Sequence, residues 1–216
     1  MNLEAAREQM IEQQVRAWDV FNADVLSAMR EVRREQFVTK EFRDVAFADS
    51  SIPLPHAQTM LSPSVHGRIL QALAVTPNDI ALEIGSGSGY LSACLGRLAS
   101  RVRSIEIVPE LAELARRNVL DAAANNVAIE VGDGTKLDEP GIYDVIAVTG
   151  SLPIYDERFQ RALKPGGRLF VAVGQAPAME AFLVTRMGER EWQRQSLFET
   201  VIDPLIHATR PSAFVF

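Results

Sequence analysis

The feature that most restricts the fold of this chain is a short apolar run that passes through three alternate glycines into a helix. Ile80-Ala81-Leu82-Glu83-Ile84 is followed by Gly85-Ser86-Gly87-Ser88-Gly89, then by Tyr90 and the helix-like LSACLGRLA. The run is rich in branched residues and suits a buried strand. The glycines permit positive φ and let a ligand approach the backbone, while the first turn of the helix offers N–H groups without intrahelical partners. A turn of this kind binds ligands at the carboxyl edge of a sheet.

The rest of the chain supplies that sheet. Strand-like runs recur at VRSIEI (102–107), VAIEV (127–131), DVIAVTG (144–150) and GRLFVAVG (167–174), with ELAELARRNVLDAA and DERFQRALK as helices between them. Strands alternating with helices predict parallel pairing through right-handed crossovers, with helices on both faces. The tail breaks the rhythm: MEAFLVTRM and WQRQSLFETVI are separated only by GERE, which predicts an antiparallel hairpin at one edge. Ahead of the sheet, residues 3 to about 37 read as a helical cap, broken near Asp19 to Asp24, with Met10, Val15, Trp18, Val25, Leu26, Met29 and Val32 on its apolar face. Between Ala48 and Ser64 charge nearly vanishes and Pro53, Pro55 and Pro63 prevent continuous helix. An uncharged, ordered loop of this length is a functional candidate. SVHGRILQALAV then predicts a helix ending before TPND. The expectation is one domain over 1–216, with the cap and loop in 1–75 and the ligand-binding sheet in 76–216.

Spacing narrows the ligand. A dinucleotide fingerprint needs a small residue at the sixth position of G-x-G-x-x-G, but counting from Gly85 that position is Tyr90. No Walker lysine follows, because positions 90 and 91 are Tyr and Leu. Glu106 lies 21 residues after Gly85, at the predicted end of the next strand, where a carboxylate can accept from both hydroxyls of a ribose. After the third strand, Gly132-Asp133-Gly134 sets a short acceptor between two flexible residues, which suits an adenine amino group.

Charge and residue counts exclude other classes. Twenty-two Lys and Arg against 28 Asp and Glu give a net charge of −6, so a nucleic-acid partner is not expected. No run of about 18 apolar residues occurs, and the opening MNLEAAREQMIEQQVR is charged where a signal peptide would be apolar. A cytoplasmic protein without membrane attachment is the expectation. One cysteine, Cys94, and three scattered histidines predict neither a disulfide nor a metal site. Cys94 reads as buried packing, His66 as a packed or surface histidine on a helix, and His56 as the better-placed histidine because it lies in the proline-rich loop.

EIGSGSGY, Glu106, GDG and YDVIAVTG followed by LKPGGRLFVAVG resemble the class I S-adenosylmethionine-dependent methyltransferases. VLSAMREVRREQFV (25–38), IPLPHAQTMLSP (52–63) and VIDPL (201–205) resemble, in order and spacing, one branch of them, the protein-L-isoaspartate O-methyltransferase family. The resemblance covers nearly the whole chain. It implies a Rossmann-like α/β fold: a mostly parallel seven-stranded sheet with an antiparallel C-terminal edge and an N-terminal helical cap. It implies S-adenosyl-L-methionine as cofactor and a damaged protein or peptide as substrate, with monomer and homodimer both open. Carried onto this sequence, cofactor binding falls to Glu83, Gly85, Ser86, Gly87, Gly89, Tyr90, Glu106, Ile107, Gly132, Asp133, Gly134 and Thr149. Pro55, His56, Gln58, Thr59 and Pro204 form the substrate loop region, and Thr59, Leu61 and Ser62 hold the positions nearest the reaction.

The loop departs from the family pattern P-I-G-x-G-Q-T-I-S. Here it reads Pro53-Leu54-Pro55-His56-Ala57-Gln58-Thr59-Met60-Leu61, so Leu61 replaces the serine beside the substrate carboxylate, and Pro55 and Ala57 replace both glycines. Leucine cannot donate to a carboxylate. Ser62 or Ser64 can compensate only if the loop shifts, and Ser62 also suits a simple turn. Gly150-Ser151-Leu152-Pro153 and Asp203 before Pro204 are further departures, and Asp203 can point into the pocket or away from it. Three readings follow: methylation of isoaspartyl carboxylates in protein repair, methylation of another small-molecule or peptide acceptor, and cofactor binding without turnover.

Overall fold

The structure, a computed structural model, describes residues 2–211; the outer limits of the expected domain, Met1 and Phe216, lie outside the described residues. Its centre is a seven-stranded sheet formed by β3 (Ile80–Ile84), β4 (Arg101–Glu106), β5 (Val127–Val131), β6 (Tyr143–Val148), β7 (Leu163–Gln175), β8 (Ala178–Arg186) and β9 (Trp192–Glu199). A separate hairpin of β1 (Ile52–Leu54) and β2 (Gln58–Met60) precedes it. The order in the large sheet is β5-β4-β3-β6-β7-β8-β9, parallel as far as β7 and antiparallel for β7 with β8 and β8 with β9. The predicted parallel sheet with an antiparallel edge is therefore present.

β3 lies between β4 and β6, so the strand order reverses there and a crevice opens at its carboxyl end. Alternation along β3 serves two cores. Leu82 and Ile84 join Ile146, Phe159 and Leu169 on one face, while Ala81 joins the larger cluster on the other. That larger cluster runs without a break from Met10, Met29 and Phe37 of the cap to Leu95, Leu111, Val145 and Phe170 beneath it. It carries α4 (Tyr90–Leu98) and α5 (Pro109–Asp121), and α3 (Pro63–Leu73) packs there too, with Ser62 capping its first turn by accepting from Val65 N.

The cap breaks where expected but is less regular than one helix. α1 (Leu3–Met10) loosens into a π turn over Ile11–Val15, Asp19 takes φ +60°, and Asn22 caps α2 (Ala23–Glu31) by accepting from Asp24 N and Val25 N. α2 stops at Glu31, short of the predicted limit near 37, because Val32 and Arg33 turn extended and send the Arg34 side chain inward. Trp18 is 41% exposed rather than core; its ring stands edge-on to Phe198 of β9 at 6.0 Å. Residues 52–60, read as a loop, form the β1–β2 hairpin. Its turn holds His56 at φ +61° and Ala57 at φ +54°, a region that favours glycine. α6 (Glu157–Arg161) is shorter than predicted, since Leu163 already pairs with Tyr143 as β7 begins.

Candidate active site

The site is built from three strand ends and two segments that lie over them. Where β3 ends, Gly85 has φ +96° and Gly87 φ +51°. A Cβ on Gly85 would stand 2.5 Å from Thr149 Oγ1, so the floor here stays open only because it carries no side chain. Gly85 N donates to Ile105 O, and Thr149 Oγ1 donates to Ile84 O (2.9 Å) and Gly85 O (2.7 Å), which ties the ends of β4, β3 and β6 together. Gly89, at φ +83°, starts α4.

Glu106, 5% exposed at the end of β4, accepts from Gly87 N through Oε2 (2.9 Å) and from Val108 N through Oε1 (3.0 Å). Each carboxylate oxygen retains acceptor capacity beyond these bonds. Gly132 N donates to Glu106 O, placing the Gly132-Asp133-Gly134 turn beside it. There Asp133 Oδ1 accepts from Thr135 N and Oγ1, and Oδ2 faces His207 Nδ1 at 3.0 Å. Burial raises the Asp133 pKa, but the hydrogen bonds from Thr135 and His207 outweigh it and bring the carboxyl down to about 2. His207 comes from the C-terminal segment, and neither spacing nor a local motif points to this contact.

A buried polar network lies behind the glycine turn. Glu83, 1% exposed, accepts from the hydroxyls of Ser104 (2.6 Å) and Ser92, and Ser86 Oγ lies 2.6 Å from Ser104 Oγ. Burial pushes the Glu83 carboxyl up to about 8 against the lowering effect of the two serines, with the Glu106 charge adding to the rise. Ser86 and Glu83 thus make their contacts inside the sheet–helix layer. The Tyr90 ring also turns inward, edge-on to Phe37 and His66, while Ile107 is half-buried against the main core.

The hairpin and the tail form the other wall. Gln58, Thr59, Leu61, Asp203 and Pro204 line one cleft with Gly85, Gly87, Glu106 and Thr149. Leu111, Gly150 and Ile202, not assigned from sequence, also line it. Asp203 points inward: Thr59 Oγ1 donates to its Oδ2 at 2.9 Å. Ser151 fixes this arrangement, because its N donates to Asp203 O (2.9 Å), its Oγ donates to Ile202 O (2.8 Å) and its O accepts from Leu205 N (3.0 Å). Gly150 makes the approach possible, since a Cβ there would lie 2.5 Å from Leu205 Cδ2. Three of the departures from the family pattern, at Leu61, at Gly150-Ser151 and at Asp203, therefore meet around one cleft, whereas Pro55 and Ala57 lie at the hairpin turn.

Leu61 is buried, and its carbonyl accepts from Arg34 Nη2 at 2.7 Å. Arg34 is fully buried and also donates from Nε to Ala46 O; burial lowers its pKa to about 10, so it remains charged near neutrality. Burial and the neighbouring Arg34 charge push His66 well below its ordinary value, leaving it neutral. Ser62 serves as the α3 cap, its Oγ 3.0 Å from Ser64 Oγ. Pro55 and His56 stand at the hairpin tip, where His56 Nε2 is 3.6 Å from Glu110 Oε2 and Gln58 Nε2 donates to His56 O. Cys94 is buried and its thiol is pushed up to about 12, which makes it unreactive packing.

A crevice at the strand-order switch point, floored by Gly85 and Gly87 and flanked by the Glu106 carboxylate and the Asp133 turn, accords with a class I S-adenosylmethionine-dependent methyltransferase. Residues 5–209 match the family described as Protein-L-isoaspartate(D-aspartate) O-methyltransferase (PCMT). The chain belongs to that family. It is 36% identical over 201 residues to the protein-L-isoaspartate O-methyltransferase of Rhodopseudomonas palustris, covering 92% of each chain. A relative from Pelobacter propionicus, protein-L-isoaspartate O-methyltransferase 2, is 36% identical over 209 residues, 96% of this chain and 93% of the other. In fold it is similar to a Plasmodium falciparum protein assigned as a protein-L-isoaspartate O-methyltransferase, crystallised with S-adenosyl-L-homocysteine. That TM-score is 0.80 at 20% identity, over 95% of this chain and 99% of the other. The cofactor is S-adenosyl-L-methionine, and the protein is an enzyme of methyl transfer.

Proposed function

We propose that this protein methylates the free carboxylate of isoaspartyl residues in damaged proteins and peptides, an O-methyl transfer that opens their repair. The observation that carries this reading is the continuity of one cleft from the Gly85–Glu106 floor to the hairpin and the Asp203-Pro204 wall. Cofactor pocket and acceptor mouth are thus one space. Bound S-adenosylmethionine supplies a methyl group already activated on a sulfonium sulfur.

The protein's task is then alignment and exclusion of water. Glu106 is positioned to accept from the ribose hydroxyls, and Gly85 and Gly87 leave room for the methionine portion against bare backbone. The Gly132-Asp133-Gly134 turn is positioned for the adenine. There His207 Nδ1 takes one acceptor site of Asp133 Oδ2 and leaves the other for the adenine amino group. Thr149 holds the floor rigid, and buried Leu61 and Ile202 keep the reacting end dry. An acceptor carboxylate is ionised at neutral pH and needs no general base. Neutral His66 and the exposed His56 at the tip are accordingly given no proton-transfer role.

The cap and the sheet are proposed as one folding unit, since the core cluster spans both. A cytoplasmic site of action accords with a single, buried thiol. Transfer of labelled methyl to an isoaspartyl peptide, with the matching aspartyl peptide as control, tests the function. Selective labelling of the isoaspartyl peptide is expected. No labelling by protein that binds cofactor would reject this acceptor.

A further inference from the structure

The acceptor wall carries a negative charge and no positive one. Among the described residues no Lys or Arg lines the cleft, whereas Asp203 and Glu106 do. Most side-chain donors on the hairpin are already engaged, leaving one Gln58 N–H. Thr59 Oγ1 donates to Asp203 Oδ2 (2.9 Å), Gln58 Nε2 donates to His56 O (3.2 Å), and Leu61 offers no polar atom. What this wall presents to an acceptor is therefore mainly lone pairs, Gln58 Oε1, the Thr59 oxygen and Asp203 Oδ1, the last of which receives no hydrogen bond from the described residues, with one Gln58 N–H beside them.

This arrangement is held in place rather than being a chance orientation of a surface acid. Ser151 grips the backbone on both sides of Asp203, through Ile202 O and Asp203 O, and Pro204 bridges back to Ser151. The Thr59 bond then fixes the side chain toward the hairpin. An anionic group beside the reacting carboxylate would meet repulsion from Asp203 with no Lys or Arg of the cleft lining to offset it. A cationic group there would donate a charge-assisted hydrogen bond to Asp203 Oδ1.

Resting on the isoaspartyl reading, we propose that Asp203 is a specificity-determining residue that selects isoaspartyl sites flanked by lysine or arginine and disfavours those flanked by aspartate or glutamate. Asp203 is itself exposed, so water screens the effect and sets its size: roughly threefold from attraction or repulsion alone, and about tenfold between a cationic and an anionic flank.

The test uses three isoaspartyl peptides identical except for a flanking Lys, Gln or Glu. Two quantities are read for each: kcat/KM for methyl transfer, and peptide affinity for the protein saturated with S-adenosylhomocysteine. Both are measured for the wild type and for Asp203→Asn, which keeps an oxygen for Thr59 while removing the charge. The expected order is Lys, Gln, Glu, with the Lys-to-Glu ratio near tenfold in the wild type, about twofold in Asp203→Asn, and shrinking in the wild type as salt rises. Turnover of all three peptides without a charge order, or an order unchanged in Asp203→Asn and insensitive to salt, overturns the proposal and leaves the isoaspartyl reading standing. A charge order in affinity without turnover overturns the isoaspartyl reading and upholds the role of Asp203. Neither order nor turnover overturns both.

Discussion

Replacing Glu106 by Gln removes one charge from a side chain whose two oxygens both accept from backbone N–H groups, Gly87 N at 2.9 Å and Val108 N at 3.0 Å. A glutamine amide has only one oxygen, so its NH2 group must face one of those donors. The buried donor left unpaired costs about 1–3 kcal/mol in the free protein. In the loaded protein the same change also converts two charge-assisted bonds to the ribose into neutral ones. At about 1 kcal/mol each, that weakens cofactor affinity by about 2 kcal/mol, roughly thirtyfold. Calorimetric titration with S-adenosylhomocysteine reads the affinity, and thermal unfolding without ligand separates the stability cost. A folded Glu106→Gln protein that binds within twofold of wild type would refute the assignment of this carboxylate to the ribose.

Other consequences concern the hairpin and the buried acid. Ala57→Gly should stabilise the protein by about 0.5–1 kcal/mol in chemical denaturation, because Ala57 sits at φ +54° and relief of left-handed strain exceeds the entropy of the added glycine; a loss of stability would contradict the turn geometry. Glu83 holds its proton in the folded state up to about pH 8, against an ordinary value near 4.5, so wild-type stability should fall relative to Glu83→Gln as pH rises from about 4.5 through about 8 and change little beyond. Parallel stability curves for the two proteins across that window would count against a protonated Glu83. Leu61→Ser should lower stability by about 2–3 kcal/mol through loss of buried apolar contact, yet raise kcat/KM on isoaspartyl peptides about tenfold by restoring a donor to the acceptor carboxylate. No gain in a folded, cofactor-saturated variant would mean that the missing hydroxyl does not limit the reaction.

The sheet was readable because its signals are local. β3 and β5 occupy the predicted 80–84 and 127–131, where apolar, branched runs are closed on both sides by turn residues. The GERE link likewise marked the β8–β9 hairpin. The β1–β2 hairpin was hidden by its prolines, yet Pro53 is tolerated because it lies in an isolated two-stranded ribbon. The direction of Asp203 was open in the sequence because Ser151 sets it from 52 positions away. The same holds for Asp133 and His207, and for the Arg34 hold on Leu61: each joins segments distant in sequence, and no periodicity or motif encodes the pair. Composition also gave no sign that Arg34 would be wholly buried, where two backbone carbonyls, the His66 ring nitrogen and an aromatic face replace water.

If the methyl group goes to an isoaspartyl carboxylate, its position on the product is decisive. An isoaspartyl peptide is incubated with the enzyme and S-adenosylmethionine, and the modified position is read by fragment mass spectrometry before and after mild base. One methyl is expected on the free carboxylate of the isoaspartyl residue, lost as methanol in base as the succinimide forms. A base-stable methyl on nitrogen, sulfur or a hydroxyl, or equal methylation of the normal aspartyl peptide, would contradict it.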